Sequence, residues 1–133
     1  MEELNIQNQS LEVLHARDND LKTLSLREVG KLKNLLLTTN QLTSIDISNS
    51  PLLETVLVSN NKIENINLTN NTKLSHLHIL DNSLSNLDVS NNPNLTELKV
   101  ARNPDLTCVK IQNGQNISTI SKSDYQELNV LCN

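Results

Sequence analysis

Leucine recurs at a fixed interval of 21 along most of this chain, and asparagine recurs at the same interval. The leucines are Leu11, Leu32, Leu53, Leu74 and Leu95, and the asparagines are Asn19, Asn40, Asn61, Asn82 and Asn103. A fixed period of this length is typical of proteins built from stacked coils, in which each coil contacts only its neighbours. The sequence therefore predicts a solenoid rather than a single globular core.

Each period contains two pairs of apolar residues with the spacing of a β-strand. Residues 32–52 follow the pattern LxxLxLxxNxLxxIDI, and the next two periods repeat it. Side chains two residues apart on a strand point to the same side, so Leu35 and Leu37 are predicted to point inward from one strand. Ile45 and Ile47 are predicted to do so from a second extended segment. We therefore expect a β-rich solenoid of about five coils with a parallel sheet.

Both ends of the repeat depart from the period by one residue. Leu4 and Ile6 fit the second half of a preceding turn that is one residue short, and the fifth coil shifts by one residue at Pro104 and Asp105. The predicted division is a partial N-terminal repeat at residues 1–10, the solenoid at residues 11–111 and a C-terminal cap at residues 112–133.

The asparagine column is predicted to be structural. A side-chain amide both donates and accepts hydrogen bonds, so an asparagine at each inner bend satisfies backbone groups of its own coil and of the adjacent one. We assign no chemistry to this column.

The pattern resembles the bacterial leucine-rich repeats of the 21-residue class, in which the second half of each turn reads LxxLDV, as in internalin-type and flavobacterial surface proteins. The resemblance covers about residues 11–111 in five copies. It implies a right-handed leucine-rich repeat superhelix with the parallel sheet on its concave face, and a bacterial secreted or cell-surface protein. A cytoplasmic protein is the alternative if Met1 is the natural start.

The segment after Ile111 is predicted to cap the solenoid. Asn113 and Gly114 indicate a turn. Ser123 and Gln126 have the spacing of a weak capping box, which predicts a short amphipathic helix at about residues 124–131 that would cover the last coil.

The two cysteines, Cys108 and Cys132, both lie near the C-terminus and are expected to form a disulfide. The same arrangement resembles the C-terminal flank of the flavobacterial repeat proteins, where an NPxLTC stretch precedes a second cysteine. A disulfide would indicate an oxidising compartment and hence export. Two free thiols are the alternative.

The outward-facing positions of the first strand form columns across the coils, at the third, fifth, seventh and eighth places of each period. Leu36, Leu57 and Leu80 lie in these columns and have no packing role in the repeat pattern, so they are predicted to form a partner-binding patch. The predicted partner-binding residues are His15, Arg17, Leu36, Leu57, His76, His78, Leu80, Asp81, Lys99 and Arg102. The alternative is that these are ordinary surface leucines.

Other function classes have little support in the sequence. The formal charge is −4 and Tyr125 is the only aromatic residue, which argues against nucleic-acid binding. No apolar run approaches the length of a membrane span, and no catalytic motif occurs. His76 and His78 are predicted to be solvated rather than metal ligands, and no metal or cofactor is expected.

The sequence thus predicts a protein-interaction or adhesion module that is a monomer or part of a longer chain. Its partner would be a protein or a host-surface ligand of unknown identity. The alternative function is a structural or spacer array without a ligand of its own.

Overall fold

The computed structural model describes residues 1–132, and within them every regular element is a β-strand. The strands are β1 Glu3–Gln7, β2 Val13–His15, β3 Thr23–Arg27, β4 Asn34–Leu36, β5 Thr55–Leu57, β6 His76–His78, β7 Leu87–Asp88, β8 Glu97–Lys99, β9 Cys108–Lys110, β10 Thr119–Ser121 and β11 Glu127–Asn129. They form three parallel sheets, of two, six and three strands. The molecule is a parallel β-solenoid, as the repeat predicted.

The six-stranded sheet contains the first strand of each turn, in the order β10-β8-β6-β5-β4-β2. From β2 to β8, residues that lie directly opposite each other on neighbouring strands are one sequence period apart, as Thr55 and His76 are. The last step, from Glu97 to Thr119, exceeds the period by one residue, because the chain gains one residue near Pro104. With β10 paired to β8, the sheet has six strands, one more than the five coils predicted.

The second half of the turns forms the two smaller sheets, with orders β1-β3 and β11-β9-β7. Between them, Ser44 and Asn65 form an isolated parallel bridge. Leu4 lies opposite Leu24, an offset that is smaller than the period by one. This pairing confirms that the first turn is one residue short.

The core is a continuous stack of aliphatic side chains from successive coils. Leu32, Leu35 and Leu37 are fully buried, and so are their counterparts Leu74 and Leu77 two coils further along. Residues between these positions on the strands are more exposed. Burial therefore alternates from one residue to the next along each strand, as expected when one side of the strand faces the interior.

The asparagine column has the predicted structural role. The Asn61 amide nitrogen donates to the carbonyl oxygens of Leu37 (3.1 Å) and Val58 (3.0 Å), and its Oδ1 accepts from the Leu42 N–H at 3.0 Å. Asn40 accepts in the same way from the Leu21 N–H. The amides of Asn40, Asn61, Asn82 and Asn103 each join their own coil to the preceding one, whereas that of Asn19 bonds within its own coil.

A second polar column, buried except at Gln115, lies at the opposite bend and was not predicted. Its members are Ser50, Asn71, Asn92 and Gln115. The Asn92 amide nitrogen, for example, donates to the carbonyls of Leu68 (3.1 Å) and Asn71 (2.8 Å). This column also links consecutive coils through backbone carbonyls.

The C-terminal segment is not the helix predicted at residues 124–131. Instead, β11 pairs with β9, and β10 extends the six-stranded sheet. The reason is that Gln126 is buried and its amide donates to the Val100 carbonyl at 3.0 Å, which places it as a further member of the asparagine column. Ser123 N–H donates to Gln126 Oε1 at 2.8 Å, so the capping-box spacing is used in a turn rather than at a helix start.

The residue before each asparagine of the first column has a left-handed backbone conformation. These residues and their φ angles are Asp18 (55°), Thr39 (61°), Asn60 (57°), Asp81 (54°) and Arg102 (58°). Asparagine and aspartate tolerate this region, whereas a β-branched residue is strained in it. Thr39 is therefore the least suitable residue of the five.

Replacing Thr39 by asparagine is expected to raise the free energy of unfolding by about 1 kcal/mol, because the strain of the β-branched side chain is removed. Thermal unfolding should shift upward by about 3 °C. Thr43→Asn is the matched control, since Thr43 is exposed and lies outside the left-handed positions. Equal shifts for both variants would contradict the explanation.

Candidate functional site

The predicted outward columns are in register on the six-stranded sheet. Val13, Asn34, Thr55, His76 and Glu97 form the third column, and His15, Leu36, Leu57, His78 and Lys99 form the fifth. The residues between the two columns are buried. Both columns therefore lie on the outer face of one continuous sheet.

The three leucines of the predicted patch lie on or beside this face. Leu36 and Leu57 are direct register partners on β4 and β5, about 4.8 Å apart at the usual strand spacing. Leu80 follows β6 in the seventh column. All three are half-buried, so they are less exposed than the sequence suggested. We call Leu36, Leu57 and Leu80 the apolar patch.

The seventh column is more enclosed than predicted. Ser59 and Ala101 are buried, with 8% and 7% exposure, whereas Arg17 is exposed. Ser59 is enclosed because its hydroxyl accepts the Leu80 N–H at 3.1 Å. Only part of this column is therefore available to a partner.

His76 and His78 share one strand and have different partners. His78 Nε2 lies 2.7 Å from Glu97 Oε2 on the neighbouring strand, and His76 Nδ1 lies 2.8 Å from the Ser75 hydroxyl. The hydrogen bond from His78 lowers the pKa of the Glu97 carboxyl, and the nearby charge of Lys99 acts in the same direction. Glu97 is thus held ionised beside the two histidines.

Asp81 and Arg102 form a bidentate ion pair just beyond the ends of β6 and β8. Arg102 Nε and Nη2 donate to the two carboxylate oxygens of Asp81, at 2.7 and 2.8 Å. The hydrogen bond from Arg102 lowers the pKa of Asp81. Both residues belong to the eighth column, so their side chains connect two adjacent coils.

The predicted site residues therefore fall into two groups on one face. His15 and Arg17 lie at the β2 end of the sheet. The histidine pair, Lys99 and the Asp81–Arg102 ion pair lie on β6 and β8 or just after them, and Leu36 and Leu57 lie between the two groups. Thr119 and Ser121 of β10 extend the third and fifth columns. Sequence reasoning missed these two because the register at this step is one residue longer than the period.

Cys108 and Cys132 form the predicted disulfide, with their Cα atoms 5.8 Å apart. Cys108 lies on β9, so the bond attaches the end of the described chain to the three-stranded sheet. It is separate from the outward columns of the six-stranded sheet.

Residues 1–132 contain no cluster of three or more histidine, cysteine, aspartate or glutamate side chains suited to a metal ion. The same residues contain no helix with the length and hydropathy required to cross a membrane. Comparison with known proteins found no family model, no curated protein and no solved structure with a significant match to this chain.

Proposed function

We propose that this chain is a leucine-rich repeat module of the bacterial 21-residue class and that it binds a protein partner through the outer face of its six-stranded sheet. The repeat pattern and the constant register of the central strands support the family assignment. The disulfide supports an exported protein, because such bonds persist in oxidising compartments.

The observation that carries the binding proposal is the apolar patch. The aliphatic residues needed for the core point inward and are buried, whereas Leu36 and Leu57 point outward from adjacent strands. Neither of these two leucines belongs to the buried core. Apolar side chains on a rigid surface with a polar surround are typical of the centre of a protein interface, and Val13, on β2 of the same face, adds a further exposed apolar side chain.

The double variant Leu36→Ser, Leu57→Ser is expected to fold normally and to lose partner binding. A displayed library of random dodecapeptides, selected on the immobilised wild-type chain, supplies the ligands. The selected peptides should bind the wild type and should bind the double variant at least about tenfold more weakly, since apolar contact area at the interface centre is lost.

Leu131→Ser is the matched control, because Leu131 is 80% exposed and lies outside the six-stranded sheet. This variant should bind the selected peptides as the wild type does, and circular dichroism should show both variants folded. Equal binding of the peptides to the double variant and the wild type would contradict the proposed function.

A further inference from the structure

Basic side chains lie on both sides of the apolar patch along the sheet. In the direction from β2 to β8, the fifth column is His15, Leu36, Leu57, His78 and Lys99. Arg17 follows His15 by two residues and is exposed. The two leucines therefore lie between Arg17 and Lys99.

The two acidic side chains nearest the histidine pair, Glu97 and Asp81, are engaged by basic side chains. Glu97 is the only carboxylate in the third, fifth and seventh columns of the described sheet, and it is bonded to His78. Asp81, in the eighth column, is bonded by Arg102. Asp18, next to Arg17, is the remaining acid of the eighth column between β2 and β8, and Asp124 lies three residues beyond β10.

Two cations of this face, Arg17 and Lys99, have no such partners. Within residues 1–132, neither Arg17 nor Lys99 forms an ion pair with a carboxylate. The face therefore offers unpaired positive charge on both sides of its apolar centre, although the whole chain has a formal charge of −4.

We infer that the partner presents an extended acidic segment that crosses the strands, with apolar side chains on Leu36 and Leu57 and carboxylates at Arg17 and Lys99. This inference rests on the proposed function and adds the chemistry of the partner. Charge complementarity of this kind selects a partner and fixes its orientation.

The distance across the six-stranded sheet determines how long the acidic segment of the partner must be. From β2 to β8 there are four strand spacings, or about 19 Å. An extended chain covers that distance in about six residues. A segment with two apolar residues at its centre and acidic residues at both ends fits this span.

Three end-blocked octapeptides test the inference on the full chain labelled with ¹⁵N. The acidic peptide is Glu-Glu-Leu-Ser-Leu-Ser-Glu-Glu, and the other two replace every glutamate by glutamine or by lysine. Amide chemical shifts should change on the six-stranded sheet, and the acidic peptide should bind about tenfold more tightly than the lysine peptide, with the glutamine peptide between them.

The variant Arg17→Gln, Lys99→Gln should reduce the preference for the acidic peptide to about twofold or less. The matched control is Lys62→Gln, Lys73→Gln, because both lysines are exposed and lie outside the sheet. The control should retain the full preference, since it removes the same net charge from another part of the surface.

Equal binding of all three peptides to the sheet would overturn the acidic-partner inference and leave the docking surface in place. Loss of the preference in both double variants would also overturn it, because the effect would then come from net charge alone. Absence of shift changes with every peptide would overturn it as well. The library selection, which assumes nothing about charge, would then decide the proposed function separately.

Discussion

Replacing Asn61 by leucine is expected to lower the free energy of unfolding by about 3 kcal/mol. The substitution removes the acceptor of the Leu42 N–H and the donor to the Leu37 and Val58 carbonyls. The Leu42 N–H is then left without a partner, which costs about 1–3 kcal/mol for a buried group. The two carbonyls each keep one donor from a neighbouring asparagine of the column, so each lost hydrogen bond adds only about 1 kcal/mol. The apolar contact of the leucine offsets part of this sum. Chemical unfolding followed by circular dichroism measures the change.

Asn91→Leu is the control for this variant. Asn91 is exposed, whereas Asn61 is only 8% exposed, so the same substitution at Asn91 should change stability by less than about 0.5 kcal/mol. Asn61→Leu should also bind the selected library peptides normally under folding conditions. Unchanged stability together with lost peptide binding would mean that this asparagine serves recognition rather than structure.

Removing the disulfide by Cys108→Ser, Cys132→Ser is expected to lower the free energy of unfolding by about 3 kcal/mol. The bond joins residues separated by 24 positions, and a closed loop of that size restricts the unfolded chain by about this amount. The loss should be local, because each coil of a solenoid is stabilised by its neighbours only. Hydrogen exchange should therefore accelerate in β10 and β11 and change little in β4 and β5.

Reduction of the wild type supplies the control for the disulfide. Dithiothreitol should bring the wild type close to the stability of the double serine variant and should leave that variant unchanged. A uniform increase in exchange across all strands would contradict the local role of the bond and would indicate that the solenoid unfolds as one cooperative unit.

The period of the sequence was sufficient to predict the register of the sheet. Leucines at a constant interval can stack only if successive turns have equal length, so the pairing of Leu36 with Leu57 follows directly. The one-residue changes at Ile6 and Pro104 were also visible as breaks in the pattern.

The C-terminal segment was predicted wrongly because local and long-range hydrogen bonds use the same residue types. Ser123 and Gln126 have the spacing of a helix start, yet the Gln126 amide reaches the carbonyl of Val100 in the preceding coil. Glutamine in place of asparagine, at an interval from Asn103 that exceeds the period, concealed the continuation of the column. The second polar column was concealed in a similar way by Ser50 and Gln115 at its ends.

The sequence predicted which residues of the candidate site lie on the outer face. It predicted less well how exposed their side chains are. Alternation along a strand determines which side a residue faces, so His15, Leu36 and Lys99 were placed correctly on the outer face. Alternation does not determine how closely neighbouring side chains pack. The burial of Ser59 beside the Leu80 N–H depends on a contact between coils that no single period contains.

The constant register of the central coils also bears on how such a gene can change in length. Because β4, β5 and β6 meet their neighbours at identical offsets, an in-frame duplication of one period, such as residues 53–73, would place every new side chain opposite an equivalent one. The six-stranded sheet would widen by one strand, about 4.8 Å, without disturbing the existing coils. Duplication or deletion of whole periods would thus lengthen or shorten the molecule stepwise and alter the outer face of its sheet in a single event.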